Sequence, residues 1–194
     1  MNFLAHIYLS GQDEELIIGN FIADSVKGKN YLNYPEGIRK GIILHRAIDY
    51  YTDTHPIVKQ STSRLFETYG HYNGVIVDIL YDHFLAANWY HYSHIPLDEY
   101  VGTFYDLLQN NLEILPKNVQ QFLPYMIRDN WLLSYASIKG IGKILHQMNE
   151  RTNRVSNMNS AVVELEAHYE EFENEFTSFF EELQLFTRKK IKTL

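Results

Sequence analysis

Apolar residues along this chain recur at helical spacing, and turn residues divide them into a series of segments. Ile38, Ile42 and Ile48 share one side of a stretch that opens at Tyr34-Pro35-Glu36 and stops at His55-Pro56. Pro35 suits a first helical turn, and a residue before proline is steered away from the α region, which ends the helix at His55. An amphipathic helix follows over residues 57–70, closed by Tyr69-Gly70. From Gly74 to Ala87 the apolar residues surround the helical wheel, the mark of a helix buried on most sides. Leu97 to Leu115 predicts another helix, and Pro116 and Pro124 bracket a short connection. Trp131–Tyr135 and Ile141–Met148 predict core-facing helical pieces separated by Gly140. A long amphipathic helix runs from Ser160 to about Leu185, with Val162, Leu165, Tyr169, Phe172, Phe176 and Phe179 on its inner face. Arg188–Lys192 is expected to fray. No repeat, low-complexity tract or alternating strand pattern interrupts the series. The expected fold is all-α, a single helical bundle over residues 1–194.

Several ionisable residues break this pattern. His45, Asp49 and Asp53 fall at i, i+4 and i+8, one above the other, with Ile38, Ile42 and Ile48 beside and between them. Asp78 and Asp82 share one face of the apolar helix, where two like charges repel. A cation between them would remove the conflict, and an arginine would do so less completely. His83 lies ~100° round from Asp82 and need not address the same atom. His6 stands within Phe3-Leu-Ala-His-Ile-Tyr-Leu9, where a lone histidine is most often a hydrogen-bonded core residue. Asp24 follows Phe21-Ile-Ala and precedes the Gly28-Lys-Asn loop, and capping a helical turn is its plain alternative role. A buried carboxylate must be paired, neutralised or metal-bound. Six such residues, His6, Asp24, His45, Asp49, Asp78 and Asp82, have few cations near them in the pattern, Arg46 being the obvious one. Imidazole and carboxylate together suit a hard or borderline divalent metal: Mn, Mg, Fe or Zn.

Composition narrows the chemistry further. The absence of cysteine excludes disulfides, thiolate metal sites and cysteine nucleophiles. No Gly-rich phosphate loop follows a strand, no nucleophile-elbow serine is present, and the Glu-x-x-His repeat of di-iron bundles is missing. No apolar run approaches the ~18 residues that would cross a bilayer, and no basic region precedes a signal-like stretch, so neither a membrane partner nor export is expected and the location expected is cytoplasmic. A net charge of −7 argues against a general nucleic-acid binder. The charge is unevenly spread: seven of the 17 basic residues lie between Lys27 and Arg64, and none between Val155 and Thr187. That asymmetry fits either two solvated faces of opposite sign or a functional basic patch.

Asn2-Phe-Leu-Ala-His6, Gly19-Asn-Phe-Ile-Ala-Asp24, Gly41-Ile-Ile-Leu-His45-Arg46-Ala-Ile-Asp49, Thr52-Asp53 and Asp78…Asp82-His83-Phe-Leu together resemble the acyl carrier protein phosphodiesterase family. The motifs span roughly residues 2–89, in the right order. Such enzymes look related to HD-type metal-dependent phosphohydrolases, although here the adjacent pair is Asp82-His83, in reverse order. The resemblance implies hydrolysis of the phosphodiester joining 4′-phosphopantetheine to a serine of acyl carrier protein, with Mn preferred. For that chemistry Asp24, His45 and Asp82 are the first candidates as metal ligands, followed by His6, Asp78 and Asp49, and Asp24, Asp49 and Arg46 are the candidate catalytic groups. A free carboxylate would take a proton from attacking water, Arg46 or Lys27 would face phosphate charge, and the basic residues between 26 and 64 would meet the acidic carrier. Two other functions stay open at this level. One is hydrolysis of a nucleotide or other small phosphoester by the same metal chemistry; the other is carrier binding without catalysis.

Overall fold

In the computed structural model, which describes residues 1–194, eleven α-helices and short 3₁₀ turns form one all-α domain without strands. The helices are α1 (Phe3–Leu9), α2 (Glu14–Ile22), α3 (Glu36–Thr54), α4 (Pro56–Tyr69), α5 (Asn73–Ala87) and α6 (Leu97–Asn110). They continue as α7 (Lys117–Arg128), α8 (Trp131–Ser134), α9 (Ile138–Arg151), α10 (Ala161–Ala167) and α11 (Tyr169–Ile191). No helix is long and apolar enough to cross a membrane.

The core forms where the two most apolar faces meet. Tyr81 and Phe84 of α5 are sealed from solvent with Phe172, Phe176, Phe179 and Phe180 of α11. Ring centroids of Tyr81 and Phe176 lie 5.6 Å apart, edge to face, and those of Phe84 and Phe176 6.0 Å apart, stacked. Aromatic pairs at such separations add to the gain from burial alone. α3 packs its isoleucine face on α2 and on α11.

The boundary between α3 and α4 falls where proline chemistry puts it. His55 is extended (φ −71°, ψ 133°), Pro56 opens α4, and His55 Nδ1 accepts the Ile57 N–H at 3.3 Å. Several expectations give way. The helix expected from Ser160 to about Leu185 is divided at His168 (φ −126°, ψ 32°) into α10 and α11, and the one expected over Leu97–Leu115 ends at Asn110. Residues 116–124 are not a connection: α7 runs through Pro124, because Val119, Leu123 and Met126 are buried on both sides of it. Burial of that face outweighs the ~3 kcal/mol an internal proline costs. The break between α8 and α9 lies at residues 135–137, where Ser137 Oγ caps the new helix by accepting the Gly140 N–H, so Gly140 is inside α9. The basic C-terminal segment remains helical to Ile191: Arg188, Lys189 and Lys190 occupy the last turn, where cations complement the helix dipole, and Thr187 is buried.

Candidate metal centre

The short helix α1 carries His6, and its geometry depends on a carboxylate from another helix. The Asp82 side chain of α5 accepts the backbone N–H groups of Leu4 (2.7 Å), Asn2 (3.2 Å) and Ala5 (3.3 Å). It thereby satisfies free donors at the positive end of α1. Asp78, one turn earlier, pairs with the α-amino group of Met1 at 2.7 Å. The expected cation between Asp78 and Asp82 is therefore replaced by peptide and amine donors, and both carboxylates act on the position of α1.

α2 and α3 cross unusually closely at two glycines. A Cβ on Gly41 would meet Cα of Gly19 at 2.7 Å, and one on Gly19 would strike the Ile38 carbonyl. Only hydrogen fits there. This contact brings Asn20 of α2 against His45 of α3, while α1 brings His6 to the same place. Asn20, fully buried, donates through Nδ2 to the His6 carbonyl (2.9 Å) and to Ser10 Oγ (2.9 Å). Its amide orientation is thus fixed with Oδ1 toward the imidazoles, His6 Nδ1 at 2.8 Å and His45 Nδ1 at 3.1 Å. Since Oδ1 can only accept, both rings carry hydrogen on Nδ1. In neutral rings the Nε2 lone pairs are then free.

Both lone pairs look toward acids. Asp49 Oδ1 is 3.1 Å from His6 Nε2, and its Oδ2 is 3.0 Å from His45 Nε2. Asp24 Oδ1 is 3.1 Å from His45 Nε2. The rings stack with centroids 4.0 Å apart. His6 Nε2 is buried yet outside hydrogen-bond geometry with any partner, Asp49 included. The side chains of His6 and His45 are buried, that of Asp49 is 40% exposed and that of Asp24 76% exposed, so the group opens to solvent on its acidic side.

Electrostatics follow from this packing. Burial would lower His45, but Asp24 and Asp49 outweigh it and raise the imidazole to about 9. Burial and the neighbouring His45 charge lower His6. Burial would raise Asp49, yet His45 and His6 on either side hold it well below the carboxylate range. Asp24 is lowered chiefly by its hydrogen bond with His45. One proton on His45 is thus the counter-charge in direct contact with both acids, and the Met1 ammonium adds a further attraction to Asp49.

Ligand atoms of His6, His45 and Asp49 lie within 4.8 Å of one another, close enough to converge on one ion. The donors suit a divalent cation. Two imidazole nitrogens with their far N–H groups fixed by a buried amide, one orphaned Nε2 and flanking carboxylates form an N/O set with outer support.

A family model described as acyl carrier protein phosphodiesterase matches residues 1–183. The chain belongs to the acyl carrier protein phosphodiesterase family. Relatives bearing that name include a protein of Photorhabdus laumondii, 32% identical over 93% of this chain and 91% of its own length. One from Pectobacterium atrosepticum is 31% identical over 93% and 94%, and one from Yersinia pestis is 30% identical over the same shares. No solved structure matches the chain.

The remaining residues singled out in this family member take other places. Arg46 is exposed, donates to the carbonyls of Val26 (3.1 Å) and Gly28 (2.9 Å), and lies over the Tyr31 ring at 5.0 Å. It secures the loop that follows Asp24. Asp53 is exposed near the end of α3, and burial and the charges of Asp78 and Asp49 raise it. His83 is spent elsewhere, between the Tyr135 carbonyl (2.7 Å) and the Tyr169 hydroxyl (3.0 Å). Asn20 is the functional residue that pattern reasoning passed over. A single amide amid Ile17, Ile18, Phe21 and Ile22, one turn before Asp24, was the signal available.

Proposed function

We propose that the chain hydrolyses the phosphodiester joining 4′-phosphopantetheine to a serine of acyl carrier protein, at a centre where His6, His45 and Asp49 hold a divalent cation, Mn foremost. The observation that carries the cation is the buried, unpartnered Nε2 of His6, facing the same space as His45 Nε2 and the Asp49 carboxylate. The family carries the reaction: its members are hydrolases of a phosphodiester bond. A bound divalent cation lowers the pKa of water and polarises a phosphoryl oxygen.

The chain's own groups supply the rest. Asn20 holds both imidazoles in the Nδ1–H form, so their Nε2 atoms stay available without a rotamer search. Asp24, on the open side, is placed to take the proton of the attacking water. Its basicity is depressed by the His45 proton, so the deprotonation of His45 that ligation requires also restores Asp24 as a base. Water oxygen bonds to phosphorus, the bond from phosphorus to the serine oxygen breaks, and the products are 4′-phosphopantetheine and the serine hydroxyl of the apo-carrier.

Lys27 and Lys29, exposed on the loop that Arg46 anchors, and Lys59 on α4 give the acidic carrier its counter-charge. Incubation with holo-carrier protein and Mn, with the carrier weighed intact, tests the reading. Loss of the phosphopantetheine mass supports it. An unchanged mass across several divalent metals overturns it, and a strong preference for free nucleotides moves the activity to small phosphoesters.

A further inference from the structure

A cleft of about 300 Å³ runs between α1, α5, α8 and α9, at the lower end of the range for small-ligand sites. Asp24 lines it, which ties it to the edge of the His/Asp cluster through the 3.1 Å contact with His45. Its walls are otherwise mostly apolar, with Phe3, Val75, Trp131, Ile144 and Met148 contributing, and Gln147 and Arg151 add polar groups from α9. Trp131 is held flat by stacking on Phe122, 5.9 Å between centroids at 13°. Its indole Nε1 is buried with no acceptor. Asp24 and Asp78 border the cleft together with Arg151 and Met1, whose α-amino group pairs with Asp78, so the lining carries no net charge.

We propose that this cleft receives the 4′-phosphopantetheine arm while its phosphodiester sits at the His/Asp cluster, an inference that rests on the carrier-protein reading above. Of the two groups that phosphodiester joins, one is a folded acidic protein and the other a thin, uncharged chain. Only the chain fits a cleft of this size. Its methyl and methylene groups match the apolar wall, and its amides find a polar partner in the exposed Gln147 side chain on the lining.

The test uses fluorescence and kinetics together. In the metal-free Trp89→Phe protein, Trp131 is the sole indole, Trp89 being the only other tryptophan. Pantetheine added to this protein is expected to give a saturable change in emission, and adenosine at equal concentration none. Ile144→Phe, which narrows the cleft, is expected to abolish that response and to raise KM for holo-carrier about tenfold with kcat less affected. Gln147→Ala, an exposed change that spares the fold, is expected to raise KM several-fold. No emission change with pantetheine, a response to adenosine instead, or KM values within twofold of wild type in both variants would each overturn the assignment. If wild-type protein still strips holo-carrier in that event, the cleft fails and the activity stands.

Discussion

Replacing Asn20 by alanine removes one oxygen that two imidazoles share, and the structure sets the size of the effect. His6 Nδ1 and His45 Nδ1 both lose their acceptor, whereas the His6 carbonyl keeps the Ser10 hydroxyl at 2.9 Å. Two buried donors without partners cost ~1–3 kcal/mol each, ~2–6 kcal/mol together. For a chain of this length even the lower figure moves Tm down by ~4–8 °C. The site suffers independently, because rings released from Asn20 can turn or exchange tautomers. Loss of such a partner weakens metal binding about 10–100-fold, or ~1.4–2.7 kcal/mol. Titration with Mn followed by electron paramagnetic resonance of the free ion measures the affinity, and melting by circular dichroism measures the stability. Ser10→Ala is the control: it removes an acceptor of Asn20 Nδ2 and leaves both imidazole bonds in place. It should cost about 1 kcal/mol of stability and little Mn affinity. Wild-type affinity in Asn20→Ala, or an equal loss in Ser10→Ala, would refute the role given to the amide.

Three further outcomes follow from the same geometry. With His45 raised to about 9, the ring is ~99% protonated at pH 7, so each bound cation should release about one proton and apparent affinity should climb ~tenfold per pH unit toward 9; calorimetry in buffers of different ionisation enthalpy reads this, and binding without proton release contradicts it. Burial pushes Asp82 up to about 7, above its unfolded value of 3.8, so the folded state binds the extra proton between those pH values and the wild type should lose stability relative to Asp82→Asn as pH rises from 4 to 7, by on the order of 4 kcal/mol, and then level off; urea unfolding across that range would show a flat difference if the carboxyl were ordinary. Gly19→Ala and Gly41→Ala should each cost ~1–3 kcal/mol and weaken Mn binding as well, since α2 carrying Asn20 is forced off α3 carrying His45; stability loss with undiminished metal affinity would separate the helix crossing from the site.

What could be read from residues alone was the conflict, and what could not was its resolution. The i, i+4 relation of His45 and Asp49 is local, so helical spacing sufficed to put them on one face, and the structure keeps them 3.0 Å apart. The helices of the first half ended where proline and glycine said they would, at His55-Pro56 and Tyr69-Gly70. Pro124 and Gly140 misled because breaker residues report a local cost, while the buried faces of α7 and α9 are a tertiary gain the local pattern does not contain.

Asp78 and Asp82 show the deeper limit. At the level of pattern they are the same object as Asp24 and Asp49: carboxylates near apolar helix faces with no cation in view. The difference lies in what approaches from elsewhere in the fold. Asp82 meets three peptide N–H groups and Asp78 an amine, donors that every chain possesses and no side-chain motif announces. Asp49 meets two imidazole nitrogens whose opposite faces are already committed to Asn20, so its only hydrogen-bonded counter-charge is the single proton on His45, with the Met1 ammonium acting on it without a hydrogen bond. A buried acid satisfied by backbone fixes position, and here Asp82 fixes the helix that delivers His6. A half-exposed acid facing oriented lone pairs is unfinished, and chemistry is placed where the fold leaves that deficit open to solvent.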